Sequence, residues 1–324
     1  MFAFTVRRII QAALVVLVIG MIGFLVQYNI GDPVRDMVGI SVSAKDREVI
    51  REKLGLNDSF WVQYSRFVRN AVKGDLGTSY FYSKSAVQVI LKKAPATIEL
   101  VLATAMIVIV FSLPIGIYSA IKPKSLFSKA AMGFSTIGVS IPVFLTAIGL
   151  IYLFSVELGW LPSYGRGETV NIGGWETGFL TLDGLRHLVL PSISLSIIIL
   201  PLYIRLIRSE MMEVLETEYI KYAWAKGLSR RRVWLVHAFK NTLLPVITVF
   251  GVEMGVLIAF TILTETVFQW QGMGFMFYEA VERSDTALLV AYLVVIGVLF
   301  VVINTIVDII YGLVNPMVRI TGTK

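Results

Sequence analysis

Six long apolar segments constrain the fold of this chain more than any other feature of its sequence. A helix needs about 20 mostly apolar residues to cross a hydrocarbon layer roughly 30 Å thick, because each residue advances it by about 1.5 Å. Segments of this kind occupy residues 9–30, 98–121, 127–156, 188–207, 243–263 and 287–314. The third is long enough to tilt or bend, and the fourth should kink at Pro191 and Pro201 unless neighbouring groups satisfy the freed carbonyls. The sequence therefore predicts an all-α integral membrane protein with about six transmembrane helices.

Composition excludes several other classes of protein. Of 324 residues, 56% are hydrophobic and 16% charged, and the mean hydropathy is +0.76, too apolar for a soluble domain of this length. Cysteine is absent, which rules out disulfides and thiolate metal sites. His187 and His237 lie fifty positions apart, so we expect no metal site and interpret both as structural. The net charge of +7 concerns membrane topology, and we expect membrane lipid and no nucleic acid as a partner.

The positions of lysine and arginine predict the orientation. Cationic residues precede the first span and fill the short loops after the second and fourth: Arg7, Arg8, Lys122, Lys124, Lys129, Arg205, Arg208, Lys221, Lys226, Arg230, Arg231, Arg232 and Lys240. By the positive-inside rule these loops and both termini face the cytoplasm. Residues 31–97 must then lie outside, since loops of this length translocate largely regardless of charge. The apolar run after Arg8 is too long for a signal peptide and lacks a small-x-small cleavage site, so we interpret it as an uncleaved span.

The segment between the first two spans should be folded. Ser43 to Asp46 is typical of the start of a helix and predicts one over residues 47–54 that ends at Gly55. A second helix is predicted over residues 60–72, ended by Gly74, lying against the membrane face or the outer ends of the spans. The predicted organisation is residues 1–30 for the N-terminal end and first span, 31–96 for this helical extracytoplasmic segment, and 97–324 for the transmembrane core.

A second outer loop, residues 159–186, is rich in glycine and aromatic residues. Its large rings are Trp160, Tyr164, Trp175 and Phe179. They form either an aromatic belt at the membrane interface or a docking surface for an external partner.

The loop over residues 208–240, between the fourth and fifth spans, carries the most informative pattern. Met212, Leu215, Tyr219, Tyr222 and Ala223 should share one helical face, Gly227 permits a turn, and Ser229 caps the next helix. These residues predict a short amphipathic helix on the cytoplasmic side. On this pattern alone, the helix could equally lie on anionic lipid headgroups.

One stretch of this loop resembles the coupling loop of bacterial ABC importer permeases. The matching residues are Glu218, Tyr219, Tyr222, Ala223, Ala225, Lys226, Gly227, Leu228 and Ser229, with Leu244-Pro245 downstream. More narrowly, the chain resembles the first permease subunit of dipeptide and oligopeptide importers, a family that includes nickel permeases. The likeness extends over essentially the whole length.

Further short motifs carry this resemblance through their order and spacing. They are Arg7-Arg8-Ile9-Ile10, Gly31-Asp32-Pro33, Leu54-Gly55-Leu56, Gln63-Tyr64, Gly74-Asp75-Leu76-Gly77, Pro95 to Leu100, His187 to Pro191, His237 to Asn241, Glu265 to Phe268, Gly272-Met273-Gly274, Asn304 and Asp308. The chain departs from the family pattern at Trp224, at Gln271, at residues 283–286 and at Asn315-Pro316-Met317. The departures delete no span and leave Gly227 in place.

The resemblance implies a type I ABC importer permease in the bacterial inner membrane. Such a chain pairs with a homologous second permease, two ATPase subunits and an extracytoplasmic binding protein that delivers di- or oligopeptides. The chain itself has no Gly-Lys dipeptide, so it lacks the P-loop that cradles ATP phosphates. We therefore expect no catalytic residue and no bound cofactor here, with ATP and Mg²⁺ used by the ATPase subunits. Residues 218–229 would sit in a groove on the ATPase and transmit its closure to the spans.

Ionisable residues inside the spans are candidates for function, because burying charge in a membrane is costly. Glu253 either pairs with a polar group on another helix or lines the translocation path. Asn304 and Asp308, four residues apart, are expected to form hydrogen bonds between helices. Glu99 and Glu265 are expected near the outer boundary, within reach of water, bracing helix ends.

The turn over residues 264–274 resembles the outer gate region of the family. Phe268 and Trp270 precede Gly272 and Gly274 in this turn. The alternative is a further piece of aromatic belt.

Three other functions stay open at this point. The same machinery could import a nickel complex, an oligosaccharide, glutathione or an opine. A secondary transporter or channel is a second alternative, although such proteins usually show repeated halves or more spans, and no repeat is visible here. A membrane scaffold or sensor is the third, and it leaves the ordered motifs unexplained.

Overall fold

The computed structural model describes residues 2–30, 34, 43–53 and 55–314, and most of these are helical. The chain divides into two compact units, residues 1–97 with 271–302 and residues 98–270 with 303–324. Several residues singled out in the sequence lie outside the described part: Gly31, Asp32, Pro33, Leu54, Asn315, Pro316 and Met317.

The first unit begins with a long helix and continues through two shorter ones and a small hairpin. Its elements are α1 (Phe2–Ile30), α2 (Ala44–Lys53), α3 (Phe60–Val72), β1 (Thr78–Ser79) and β2 (Lys84–Ser85), which lead into α4 (Ala86–Ile121). The two strands pair antiparallel, with Thr78 opposite Ser85.

The second unit is built mainly from long apolar helices. It takes up most of α4 and then α5 (Leu126–Ser140), α6 (Val143–Leu150), a π-helical turn (Ile151–Glu157), β3 (Val170–Ile172), β4 (Trp175–Thr177), α7 (Leu182–Leu215), α8 (Glu218–Ala225), α9 (Arg230–Arg232), a second π-helical turn (Val233–Ala238) and α10 (Phe239–Val267). The chain then returns to the first unit with α11 (Met273–Glu282) and the start of α12 (Thr286–Val314).

Both short helices predicted before α4 are present. α2 begins where the Ser43 hydroxyl accepts the Asp46 N–H at 3.2 Å, and it starts three residues earlier than predicted. Its end is closed by a bond from the Leu56 N–H to the Arg51 carbonyl at 3.0 Å, with Gly55 in the left-handed conformation that favours glycine. α3 has the predicted bounds.

Aromatic side chains hold α3 against α1. The Phe24 ring lies 5.4 Å from Phe60, 5.9 Å from Tyr64 and 6.0 Å from Phe67, measured between ring centroids. The Tyr64 hydroxyl also donates to the Leu17 carbonyl at 2.8 Å. These contacts lie on the apolar stretch Ala13–Leu25 of α1. The predicted location of α3, against the membrane face or the outer ends of the spans, stays a prediction.

Four helices in the described part of the chain are long and apolar enough to cross a membrane. They are Ala86–Ile121, Leu182–Leu215, Arg230–Val267 and Thr286–Ile310. A bent pair, Leu126–Gly138 with Val143–Glu157, makes a fifth if it forms one span, and α1 contributes the shorter apolar stretch. The predicted count of six and the outer location of residues 31–96 therefore stay predictions.

The third predicted span is broken instead of continuous. Its two halves meet at 110°, and Ile141 between them is extended, with φ −91° and ψ 123°. The cause is Pro142, whose ring disfavours the helical conformation for the residue before it. The bend that the length of this segment allows is therefore present, and the crossing of the membrane by both halves as one span stays a prediction.

The fourth span keeps its helical course past both prolines. Pro201 cannot donate a hydrogen bond to the Ile197 carbonyl one turn earlier. At this point the α5 backbone comes close: a Cβ built on Gly138 would lie 3.0 Å from Cγ of Pro201 and 3.6 Å from the Ile197 oxygen. Close packing of α5 thus covers the interrupted part of α7.

Candidate functional site

The loop helix α8 is separate from α7, and this corrects the predicted helical face. α7 ends at Leu215, and Thr217 takes the N-cap position of α8. Because the helix breaks here, Tyr219 and Tyr222 do not continue the face of Leu215 and are 43% and 61% exposed. Ala223 is buried as predicted, but the other buried residue of α8 is Ile220.

The buried face of α8 belongs to a hydrophobic cluster, which we term the loop cluster. Its buried members are Ala120, Met211, Ile220, Ala223, Val233 and Ala238. They come from α4, α7, α8 and the π-helical turn that continues into α10. A short helix is marginal in water by itself, so this packing holds α8 in place and ties it to three long helices.

Polar contacts add to the attachment of α8. The Asn241 side-chain amide donates to the Tyr219 hydroxyl at 2.6 Å, which joins α8 to α10. On the exposed face, Lys226 Nζ lies 4.6 Å from the centre of the Tyr222 ring, a cation–π arrangement. Lys221 and Glu218 form an exposed ion pair at 2.8 Å, which contributes little to stability.

Gly227 ends α8 in a left-handed backbone conformation that favours glycine. Its φ is +75°, its N–H donates to the Trp224 carbonyl at 2.9 Å, and the Leu228 N–H donates to the Ala223 carbonyl at 3.4 Å. This pair of bonds is the Schellman motif, which favours glycine at the left-handed position. Ser229 follows at the N-cap of α9 as predicted, but its hydroxyl makes no capping hydrogen bond.

Glu253 lies on α10 and is partly buried. Two residues earlier, a Cβ on Gly251 would lie 2.8 Å from Cγ1 of Val307, so α10 and α12 approach closely there. Asn304 and Asp308 are partly buried, one turn apart on α12, and their hydrogen bonds to other helices stay a prediction.

A buried ion pair that the sequence does not predict joins α4 to the segment before α7. Arg166 Nη2 lies 2.7 Å from Oε2 of Glu99. The expectation that water reaches Glu99 is wrong, since it is 2% exposed. Arg166 lies between two glycines, in a segment whose sequence pattern consists mainly of glycine and aromatic residues. No spacing rule could have singled it out.

The turn after α10 is buried. Phe268 and Trp270 are each 1% exposed, and Glu265 is fully buried, so the aromatic-belt interpretation of these rings and the expected solvation of Glu265 are wrong. The Trp270 N–H donates to the Glu265 carbonyl at 2.8 Å, again closing the helix end. By contrast, Trp160, Tyr164, Trp175 and Phe179 are exposed, as both interpretations of that loop require.

Gly272 and Gly274 belong to the first unit. Gly272 is the N-cap of α11, and Gly274 is buried in its first turn. The Met273 N–H between them donates to the Thr97 hydroxyl at 2.7 Å. His187 Nδ1 forms a hydrogen bond with the Asp183 carbonyl at 2.8 Å. His237 lies in the second π-helical turn, and its Nε2 is buried without a hydrogen-bond partner among the described residues. The structural role of both histidines stays a prediction.

Comparison with known proteins identifies the family. Residues 112–320 match the family model of the binding-protein-dependent transport system inner membrane component, and residues 1–101 match the model of the N-terminal region of such membrane components. This chain belongs to that family. The permease is 39% identical over 302 residues to the di/tripeptide transport system permease protein of Pseudomonas aeruginosa, covering 89% of this chain and 90% of that one.

Two further proteins agree with this assignment. The oligopeptide transport system permease protein of Bacillus subtilis is 36% identical over 321 residues, which cover 98% of the permease and all of that protein. The inward-facing MetNI methionine ABC transporter superposes with a TM-score of 0.53 at 16% identity, covering 71% of this chain and 97% of that chain. The predicted family and the helical ABC importer permease fold are confirmed.

Proposed function

We propose that this permease imports peptides, and that separate ATPase subunits drive the import by hydrolysing ATP while they are bound to α8. The observation that carries the proposal is that α8 packs against the permease on one face and is exposed on the other. Ile220 and Ala223 are buried in the loop cluster, whereas Tyr222, Trp224 and Lys226 are exposed. A helix that packs against three spans on one face and is exposed on the other can transmit the movement of a bound partner to those spans.

The peptide substrate is inferred from the relatives named as di/tripeptide and oligopeptide permeases. In the proposed assembly the chain pairs with a homologous second permease, and an external binding protein delivers the peptide. Both termini face the cytoplasm, and residues 31–96 form a helical insertion on the opposite side. Glu265, Phe268, Gly272 and Gly274 belong to the outer gate, and Asn304 and Asp308 brace the last span.

The coupling role is tested at Gly227. Proline cannot adopt its φ of +75° or supply its N–H, and valine strains the same backbone. Asparagine tolerates the left-handed conformation and is the matched control, because no atom lies within 4 Å of a Cβ at this position. Wild type and the three variants are purified as full complexes, and peptide uptake and ATP hydrolysis are measured in the same proteoliposomes.

We expect Gly227→Pro and Gly227→Val to lose uptake while the assembled complex still hydrolyses ATP, and Gly227→Asn to keep both activities. Normal uptake by an assembled Gly227→Pro complex contradicts the coupling role.

The substrate is tested through the binding protein of the system. Its affinities for dipeptides, longer peptides, glutathione, a nickel complex and an oligosaccharide are measured by calorimetry, and each bound solute is then offered to the reconstituted importer. Uptake of dipeptides or oligopeptides supports the proposal. Uptake of only a sugar or nickel complex overturns the peptide assignment and leaves the family assignment intact.

A further inference from the structure

A small recess lies between α4, α7 and α10, and in this structure it is too narrow to hold a water molecule. It is lined by Tyr203, Phe250 and Glu253, with apolar residues around them such as Val108, Met254 and Leu257. All of these residues belong to the second unit. Most of the wall is aliphatic or aromatic, so each polar group in it requires an explanation.

The two polar groups have no partner within the described chain. The Tyr203 side chain is 2% exposed, and its hydroxyl is buried without a hydrogen-bond partner among the described residues. Glu253 likewise makes no hydrogen bond or ion pair in the part of the chain that the structure describes. A buried hydroxyl without a partner, such as that of Tyr203, is rare in proteins and is often explained by function, and Glu253 is a partly buried carboxylate on the same recess.

The orientation of α10 directs Glu253 to this recess. Gly251 packs against Val307 of α12, whereas Phe250, Glu253, Met254 and Leu257 line the recess toward α4 and α7. The helix thus uses one side for close packing and another for the recess. For Glu253 to pair with a polar group on α12, its carboxylate would have to lie on the face of α10 that packs against α12.

The chemistry of the lining fits an organic cation. A carboxylate and a phenolic oxygen both accept hydrogen bonds from an ammonium group, and charge-assisted bonds of this kind are strong. The Phe250 and Tyr203 rings lie 6.0 Å apart in an edge-on arrangement, and aromatic faces attract cations. A divalent metal requires more oxygen ligands than one carboxylate and one phenol supply.

We infer that Glu253, Tyr203 and Phe250 form a transient site for the ammonium group of a peptide during its passage through the permease. The inference rests on the proposed peptide import. Every peptide with a free N-terminus carries this group near pH 7, so a site for it serves substrates of any side chain. Because the recess is closed in this structure, the three helices that form its walls must shift apart during transport to admit the ammonium group.

The experiment uses the complete importer in proteoliposomes, with saturating wild-type binding protein loaded with radiolabelled L-alanyl-L-alanine. Wild type is compared with Glu253→Gln, Glu253→Asp and Tyr203→Phe. Glu213→Gln, which removes an exposed carboxylate from α7, is the matched control. Maximal uptake, the binding-protein concentration at half-maximal uptake, basal ATP hydrolysis and complex assembly are measured for each.

We expect Glu253→Gln to reduce maximal uptake by about tenfold or more and Tyr203→Phe by a smaller factor of about three, since the carboxylate forms an ion pair with the ammonium group whereas the hydroxyl is neutral. Glu253→Asp should retain part of the activity. Assembly, half-saturation and basal hydrolysis should match wild type, because the binding protein and ATPases are unchanged. Glu213→Gln should transport normally.

Two results overturn the inference. One is uptake by Glu253→Gln within about twofold of wild type. The other is loss of assembly in that variant with normal uptake by the fraction that assembles, which assigns Glu253 to a pair with another helix. If the wild-type importer carries no alanyl-alanine at all, the proposed peptide import fails first, and the two failures are distinguished.

Discussion

Arg166 and Glu99 form a buried ion pair in which both carboxylate oxygens of Glu99 accept hydrogen bonds. Nη2 of Arg166 lies 2.7 Å from Oε2 of Glu99, and the two side chains are only 11% and 2% exposed. Oε1 of the same carboxylate accepts the Gly178 N–H at 3.0 Å. Arg166 also donates to the Glu176 carbonyl, and its guanidinium lies 6.0 Å from the Trp270 ring. One side chain thus joins α4, the β4 segment and the turn after α10.

Removing Arg166 alone should be more harmful than removing the whole pair. Arg166→Met leaves the Glu99 charge buried and unpaired, which costs about 3–5 kcal/mol in the free energy of unfolding. The double variant Arg166→Met with Glu99→Gln should recover part of this loss. Denaturant unfolding of the purified permease in micelles measures both. A double variant less stable than Arg166→Met would contradict the pairing.

Tyr82 should make stability sensitive to alkaline pH. Its hydroxyl donates to Oε2 of Glu279 at 2.9 Å. Burial, with the Glu279 hydrogen bond and negative charge adding to it, raises the pKa of Tyr82 above its ordinary value. The unfolded chain therefore releases this proton first, and stability is constant with respect to this group below about pH 10 and falls above it.

Tyr82→Phe isolates this effect. The variant should lose about 1 kcal/mol at neutral pH, because one hydrogen bond is absent, and its stability should decline less above pH 10 than that of wild type. Unfolding free energies from pH 7 to 11 provide the comparison. Parallel pH profiles for the two proteins would show that this hydroxyl does not titrate differently in the folded state.

The sequence predicted the long helices because each of them depends on a local pattern. A run of about 20 apolar residues identifies a span wherever it packs, and Gly55, Gly74 and Gly227 ended helices where expected. The phase of α8 was missed, since the sequence does not reveal that Thr217 begins a new helix. A break of two residues rotates everything that follows and exchanged Tyr219 and Tyr222 for Ile220 on the buried face.

The polar contacts were beyond sequence reasoning for a different reason. Glu99 and Arg166 are 67 positions apart, and only the packed spans bring them together. The same holds for Tyr203 and Glu253, which come from two helices separated by the whole loop around α8. Glu253 could be suspected from its apolar surroundings alone. Tyr203 could not be suspected in this way, since tyrosines are common in spans and its unpaired hydroxyl is visible only in three dimensions.

Ser284 occupies a backbone conformation that a glycine would adopt more easily. Its φ is +52°, and its N–H and that of Asp285 close the end of α11 by bonds to the Val281 and Ala280 carbonyls at 3.1 and 2.8 Å. Ser284→Gly should raise stability by roughly 0.5–1 kcal/mol, because a non-glycine residue strains there. Ser65→Gly in α3 is the control and should lower stability by a similar amount. Destabilisation by Ser284→Gly would refute this account of the turn.

The close approach of α10 and α12 depends on the missing side chain of Gly251. A Cβ there would lie 2.8–2.9 Å from three side-chain atoms of Val307, closer than such atoms pack. Gly251→Ala should therefore lower the unfolding free energy by about 1–3 kcal/mol, and adding Val307→Ala should restore part of it by making room. Gly149→Ala is the matched control, since no atom lies within 4 Å of a Cβ there, and it should be nearly neutral. Because Gly251 also fixes which side of α10 meets α12, the uncorrected variant should reduce peptide uptake, and the double variant should recover it. Equal stability of Gly251→Ala and wild type would mean that the two helices are not in contact at this point.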